Sequence, residues 1–404
     1  MATTVSRRSA RTPARPPAGP EPLAIRLRRV AVVASLVALV VAFASWVSAM
    51  SGPSNTALGV RSVEWLRDNG ASGIVAQVET WYYSLTAPSK GGPTRKALPK
   101  VGVATATTPA TPAPTQRHVT HAKTTAPAVV RPVRIAPLIH PALPGEGVWV
   151  PSRVGLGSAP PLMVTTLRDE TDYPRVVIGL AWIDTKRTRV SLYPGRLEPA
   201  VSLPTRGPMD VPLVSRGSLL ATFNSGFKLA DSLGGYAVNG HTYAPLRYGL
   251  ATFVGYRDGR VNILSWTHGS NAPASYAYAR QNLPLIVDHG RLNPNLSTGA
   301  AWGATVGNAI LVWRSGIGID RHGNLIYAAG NDQTVMSLAA ALAHAGAVRA
   351  MELDINSYWV SFITYGGWNA LDPTNLLPDM NRVATRYLTP DDRDFFAVYL
   401  RHAG

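Results

Sequence analysis

The sequence predicts an α+β protein: a single globular domain on a large mixed β-sheet with few helices, preceded by one transmembrane helix and a Pro/Thr/Ala-rich linker. Three observations carry this. From Gly145 onward, short apolar runs alternate with turns rich in Gly, Asn and Asp, which is the pattern of strands. Helical periodicity in that region is confined to three stretches. Before it, Val30–Met50 (VAVVASLVALVVAFASWVSAM) carries no charge over roughly 20 residues, enough to cross the hydrocarbon of a bilayer.

Residues 1–29 hold seven Lys/Arg and one acid and lack the apolar content for a core, so they read as a disordered basic cytoplasmic tail. Arg26, Arg28 and Arg29 stand directly before residues 30–50, the transmembrane helix, and place the N-terminus inside and the remainder outside. The chain is thus expected to be a single-pass membrane protein with an extracytoplasmic C-terminal domain. Ser48-Ala49 would suit a signal-peptide cleavage site, but the apolar core is long for that and favours an uncleaved anchor. In residues 51–86, Val63, Leu66, Ile74, Val75, Val78, Trp81, Tyr82 and Leu85 recur at helical spacing, with a break at Asp68-Asn69-Gly70. This predicts two short amphipathic helices, the second lying on a membrane surface or docking on the domain. Residues 87–144 form the extended linker. Its His118, His121 and His140 read as solvated, not as metal ligands, and no metal or cofactor is expected. Residues 145–404 are the domain.

Within the domain the strand candidates are 176–183, 189–193, 219–223, 251–256, 261–265, 284–287, 310–313, 316–320 and 324–328, with hairpin turns at Asp258-Gly259 and His322-Gly323. Helices are expected over 274–281, 335–345 and near 391–400. The most informative unit is Thr334–Trp359. Leu338, Ala341, Leu342 and Ala345 make a helix face, Asp332 or Thr334 can cap its start, and Gly346 suits a left-handed stop. The pattern then changes to period two. Met351 and Leu353 share one face, and Glu352 and Asp354 share the other, roughly 6–7 Å apart.

The formal charge of +16 invites a nucleic-acid reading, but it lies mostly outside the domain. Residues 1–29 and 51–146 carry +6 each, and residues 147–404 only +4. A basic tail and linker point to a membrane surface or anionic envelope, and no nucleic-acid-reading signature is present. The absence of cysteine excludes disulfides and thiolate chemistry. GxSxG, HExxH, P-loop, GxGxxG and EF-hand motifs are also missing, which leaves carboxylate chemistry. The polar groups expected at strand ends are Asn224, Asn239, Asp288, Arg314, Glu352 and Asp354. An arginine among acids and amides suits an anionic, hydroxylated ligand, since guanidinium forks onto phosphate while carboxylates and amides hold hydroxyls.

The order FNSGF, YAVNGHTYAP, LPLIVDHGRL, WRSGIGIDRHGNLIYAA and SLAAALAHAGAVRAMELD, over about residues 210–365, resembles the phosphodiester glycosidase family. The resemblance implies that Asn224, Gly226 and Phe227 match an asparagine-glycine-glycine-phenylalanine stretch, Asn239-Gly240 an NG turn, and Asp288-Gly290 a DG loop. It likewise matches Arg314 to an arginine before a GI/VD strand, and Asp354 to the aspartate of an LDGGGS signature. Here that signature reads Leu353-Asp354-Ile355-Asn356-Ser357, so two glycines that admit a ligand to the backbone are replaced, and Glu352 stands where the family has an uncharged residue. Two outcomes are open: Asn356, with Ser357 beside it, takes over the ligand contact by its amide, or the pocket is closed to the family's usual substrate.

The implied activity is hydrolysis of the sugar C1–O bond of glycosyl-1-phosphodiesters in envelope or exported glycans. Asp354 would be nucleophile or electrostatic stabiliser, Glu352 or Asp288 acid or base, Arg314 the phosphate partner, and Asn224 the orienter of sugar hydroxyls. The alternative is a non-catalytic glycan- or anionic-polymer-binding module on the same fold, for which the changed LDINS stretch would be the sign.

Overall fold

The computed structural model describes residues 23–102, 131–157, 159–204, 206–303 and 311–401. The tail up to residue 22 and the middle of the linker, with His118 and His121, lie outside the described residues. The chain divides into two units, Met1–Pro53 and Ser54–Gly404. In the first, Leu23–Ser51 is one helix of 29 residues with no buried side chain. It is long and apolar enough to cross a membrane and fits a single-pass anchor or a signal sequence.

In the second unit the α+β class holds, with the strands divided among three sheets whose pairings in the described residues are all antiparallel. The eight-stranded sheet runs in the order Val150–Pro151, Leu162–Leu167, Ile178–Ile183, Leu325–Gln333, Val312–Asp320, Ala347–Glu352, Leu285–Asp288, Arg291–Leu292. A five-stranded sheet is built from Pro373–Asn375, Phe362–Tyr365, Leu219–Asn224, Phe395–Leu400 and Thr188–Tyr193. The other has His241–Ala244, Tyr236–Val238, Tyr276–Gln281, Ala251–Tyr256 and Val261–Ser265. Their inner faces share one apolar core. Phe223 and Phe396 stack at 5.2 Å, Phe396 meets Phe253 at 4.6 Å, and Tyr327 of the large sheet lies 4.8 Å from Phe362.

Two of the expected helices are strands. Tyr276–Gln281 sits between Tyr236–Val238 and Ala251–Tyr256, bonded to both. Its alternating aromatic residues pack on neighbouring strands, and that tertiary contact overrides the helical leaning of an Ala- and Arg-containing segment. Phe395–Leu400 is likewise a strand, between Leu219–Asn224 and Thr188–Tyr193, with Asp391 to Asp394 leading into it as buried coil. The candidates 310–313 and 316–320 join as one strand, Val312–Asp320.

The expected helix is present as Val335–His344. Thr334 is its N-cap in a capping box with Ser337, and Gly346 just beyond it has φ 102°. Leu338 and Leu342 press on the large sheet at Gly316, where a Cβ would sit tightly, 3.0 Å from Leu342 and 3.3 Å from Leu338.

The segment after Pro53 forms helices Leu58–Leu66 and Ser72–Thr86, with Gly70 at φ 87° in the break. It is tied to the domain through charge. Ser54 Oγ donates to Asp392 at 2.5 Å, Asn55 Nδ2 to the Arg386 carbonyl at 2.8 Å, and Arg382 Nη2 to Asn55 Oδ1 at 2.6 Å. Both described ends of the linker also pack down. Leu98 and Val101 lie against the core, Ile135 is buried, and Arg168 holds Glu146 at 2.8 Å while its Nη2 donates to the Ile139 and Pro141 carbonyls.

Asp391, fully buried, takes Arg386 in a fork at 2.7 and 2.9 Å and Arg382 at 3.4 Å. Burial alone would raise its pKa, but these guanidiniums outweigh that and hold it below the ordinary value. Replacing it by asparagine leaves two buried arginines uncompensated, at a cost of about 3–5 kcal/mol. Asp391→Asn is therefore expected to lower the unfolding free energy obtained from urea titration by most of that amount, and a change under about 1 kcal/mol, the range of an exposed pair, would contradict it.

Candidate functional site

Strand ends from all three sheets meet at one place. The Ala347–Glu352 strand delivers Glu352 and then Asp354, and the first half of Val312–Asp320 delivers Arg314 and Ser315. Leu219–Asn224 ends on Asn224, Tyr276–Gln281 carries Arg280 and leads to Asn282, and Arg393 and Asp394 precede Phe395–Leu400. All of these side chains are buried.

Two buried ion pairs form the centre. Arg314 Nη1 donates to Glu352 Oε1 at 2.6 Å and to the Trp302 carbonyl at 3.1 Å, while its Nε reaches the Gln333 carbonyl. Arg393 Nη2 donates to Asp354 Oδ2 at 2.9 Å and to the Gly226 carbonyl at 3.2 Å. Burial pushes Glu352 up to about 7, against the pull of Arg314 and with help from the Asp354 charge. Burial also raises Asp354, opposed by Arg393. Two carboxyls on one strand end, each paired with its own guanidinium and both raised by burial, bring a group able to exchange a proton near pH 7 close to a second acid.

The loop Ser225-Gly226-Phe227 threads between these groups. Ser225 N donates to the Asp394 carbonyl, and Arg280 clamps Asp394 at 2.8 Å and the Phe227 carbonyl at 2.6 Å. Asn282 Nδ2 caps the carbonyls of Glu352 and Leu353 at 2.7 and 2.8 Å. A Cβ at Gly226 would lie 3.0 Å from the Asn282 side chain, a contact tight enough to push on the amide that caps Glu352 and Leu353. Around the loop, five buried polar atoms have no hydrogen-bond partner: Ser225 Oγ, Asn282 Oδ1, Glu352 Oε2, Arg393 Nε and Asp394 Oδ1. Orphaned buried polar atoms are costly, and these five lie around one strand-end junction, while others, such as Asp169 Oδ2 and Asn375 Oδ1, are buried elsewhere in the domain.

Of the residues singled out from the sequence, Glu352, Asp354, Arg314, Asn224, Gly226 and Phe227 come together, with Asn356 and Ser357 at the margin. Asn224 spends both ends of its amide inside the protein: Nδ2 on Ser315 Oγ and the Ser225 carbonyl, Oδ1 on Ser361 N and Tyr327 OH. It holds the loop and has no donor to spare for sugar hydroxyls. Asn356 N donates to Asp354 Oδ1 and its own Oδ1 accepts from Tyr358 N, so it shapes the turn after Asp354. Ile355 and Phe227 both press on Gly303, where a side chain would overlap them. Asp288 does not join the group. It is half exposed beside His289, paired across from Arg291, and its strand runs antiparallel to Ala347–Glu352, so it lies at the end away from Glu352. Asn239-Gly240 is an exposed hairpin turn in another sheet, with both residues at positive φ. No group of His, Asp and Glu able to hold a metal occurs among the described residues.

The sequence reading missed Arg393, Asp394, Arg280 and Asn282. It also missed Glu64, which the Leu58–Leu66 helix brings to Lys228 at 2.6 Å. Burial would raise Glu64, but Lys228, Arg393 and Arg67 together hold it below the ordinary carboxylate range. The signal for Arg393 was the run Asp391-Asp392-Arg393-Asp394 directly before the apolar FFAVYL, charges that enter the core with the strand they precede.

No protein-family model matches this chain, and no curated protein does. Among solved structures it is similar to the zebrafish N-acetylglucosamine-1-phosphodiester alpha-N-acetylglucosaminidase catalytic domain, auto-inhibited by its pro-peptide, at 16% identity over 61% of this chain and 85% of that one, with a TM-score of 0.40. A hypothetical protein from Synechocystis matches at 14% identity over 59% of this chain and 62% of that one, with a TM-score of 0.35. An exported protein of Burkholderia pseudomallei matches at 13% identity over 56% and 74%, with a TM-score of 0.29. Likeness at this distance is one of fold at most.

Because the folded pKa of Glu352 is raised to about 7, its neutral form is favoured by folding. Its contribution is fully present below the ordinary carboxylate value and is lost as pH rises through about 7. Asp169, raised by burial to about 7, acts in the same direction. The melting temperature is expected to fall between pH 5 and 8, and Glu352→Gln, a permanent stand-in for the neutral acid, to flatten that slope. An unchanged slope in the variant would mean that Glu352 is ionised throughout.

Proposed function

We propose that this chain is a membrane-anchored, outward-facing hydrolase that cleaves the sugar C1–O bond of glycosyl-1-phosphodiesters in cell-envelope or exported glycans. The observation that supports it is the pair of carboxylate–guanidinium contacts, Glu352 with Arg314 and Asp354 with Arg393, gathered around buried polar atoms that lack partners. A sugar phosphodiester needs both kinds of group: cations for the phosphate, and acids and amides for the hydroxyls and the cationic sugar carbon. In the proposed reaction a water oxygen bonds to C1 while the C1–O bond breaks, its electron pair staying on the phosphate oxygen. Glu352, acting as the carboxylate with a pKa raised to about 7, takes the proton from water. Asp354 stabilises the oxocarbenium-like centre, and Arg314 and Arg393 compensate the departing phosphomonoester.

One observation favours a second reading, a non-catalytic glycan- or anionic-polymer-binding module. Both carboxylates are already closed on arginines, at 2.6 and 2.9 Å, and Ile355 fills space beside Phe227. Catalysis requires at least one pair to open on the ligand.

The test is a panel of glycosyl-1-phosphodiesters offered to the full-length protein, with free sugar and phosphomonoester both measured. The hydrolase reading expects their release in equal amounts, with kcat lowered roughly thirtyfold to thousandfold in the near-isosteric Asp354→Asn, the loss of about 2–4 kcal/mol of transition-state stabilisation. Saturable binding without release would favour the module. Turnover unaffected by Asp354→Asn would remove Asp354 from the mechanism.

A further inference from the structure

We infer that the domain has a second membrane contact: an apolar face that docks on the bilayer surface beside the point where the chain leaves its N-terminal helix. The face is made by two short turns packed on each other, Leu213–Ser218 and Trp368–Ala370. At their tips Val214 is 96% exposed, Leu213 77%, Leu371 62% and Trp368 53%, a local density of large apolar side chains that water does not favour. The second turn is held out by backbone that side chains rarely adopt: Asn369, Ala370 and Asp372 have φ of 57°, 61° and 52°. Arg153, itself buried, braces Trp368 with its guanidinium 3.7 Å from the ring centre. Strain and a buried brace spent on keeping a tryptophan outside the core are consistent with a role for that tryptophan on the surface.

The position of this face selects a lipid surface as its occupant. Arg216 donates to the Leu388 carbonyl at 2.6 Å, and Val211 N to the Tyr387 carbonyl, so the first turn is built on the Arg386–Leu388 segment. That same segment is where Asn55 is bonded, through the Arg386 carbonyl and Thr389 Oγ1. Exposed Val383 lies in the same stretch, next to Arg382, which grips Asn55 and Thr56. Ser54 follows Ser51, the last residue of the apolar helix, by three positions, a span of at most roughly 10 Å. With the helix in a bilayer, this seam is therefore held at the membrane surface, and the apolar tips beside it are available to the interfacial region, where Trp and Leu are favoured. The inference rests on reading Leu23–Ser51 as an anchor, and the experiment separates the two.

The chain has no cysteine, so single spin labels can be placed without background. Full-length protein carrying Val214→Cys, Val37→Cys within the apolar helix, or His322→Cys at a polar turn is reconstituted in phosphatidylcholine and phosphatidylglycerol vesicles. Label collisions with lipid-soluble oxygen and with a water-soluble nickel complex are then compared. The expected result is a shift toward oxygen at Val214→Cys relative to His322→Cys, alongside a deeper signature at Val37→Cys. A lipid signature at Val37→Cys with a fully aqueous Val214→Cys would overturn the docking face and leave the anchor standing. An aqueous Val37→Cys would overturn both. A Val214→Cys label immobilised and shielded from both reagents would assign the face to a protein contact and also overturn the inference.

Discussion

Much of this fold depends on the rule that a buried charge needs a partner. Asp391, Asp392, Arg393 and Asp394 are four consecutive charged residues, all buried, and each is paired with a different part of the chain. Asp391 takes Arg386 and Arg382, Asp392 takes Arg196 and Ser54, Arg393 takes Asp354, and Asp394 takes Arg280. Their side chains thereby fasten the segment leaving the apolar helix, the end of the eight-stranded sheet and the end of a five-stranded sheet to one coil. Gly195 crosses that coil so closely that any Cβ would overlap the backbone of Arg393.

The candidate site is a consequence of this arrangement. Strands that end together bring their terminal side chains together, and the charges required to join them become the charges of the site. The surplus is informative. Five buried polar atoms around Ser225–Phe227 have no protein partner, so the ion-pair network there leaves hydrogen-bonding capacity over for water or a ligand. A network left incomplete inside a tightly packed region carries an energetic cost, and a polar ligand is the simplest thing that would remove it.

Local features of the fold were legible in the sequence to the extent that their causes are local. The Val335–His344 helix was read from its apolar face, Thr334 and Gly346, and the following strand from the alternation that sends Met351 and Leu353 into the core and Glu352 and Asp354 toward the strand end. The hairpins at Gly259 and Gly323 show the positive φ that their turns require. Tyr276–Gln281 and Phe395–Leu400 were misread because their strand character comes from partners far away in sequence. Arg393 was invisible for the same reason: a run of charges reads as a solvated face until the partners of its last three members, 39 to 338 residues distant, are placed beside it. Asp288 erred in the other direction, a strand-end acid whose strand runs the opposite way.

Thermal unfolding of the full-length protein with added glycosyl 1-phosphate tests most directly whether the unpartnered groups around Asp354 and Arg393 form a ligand site. A ligand that binds only the folded state raises the melting temperature in a saturable way. The predicted result is such a rise with the glycosyl phosphate at pH 7, with a smaller one for the same sugar lacking the phosphate. No rise with either, or equal rises with both, would contradict a site that joins cations for phosphate to acids and amides for sugar.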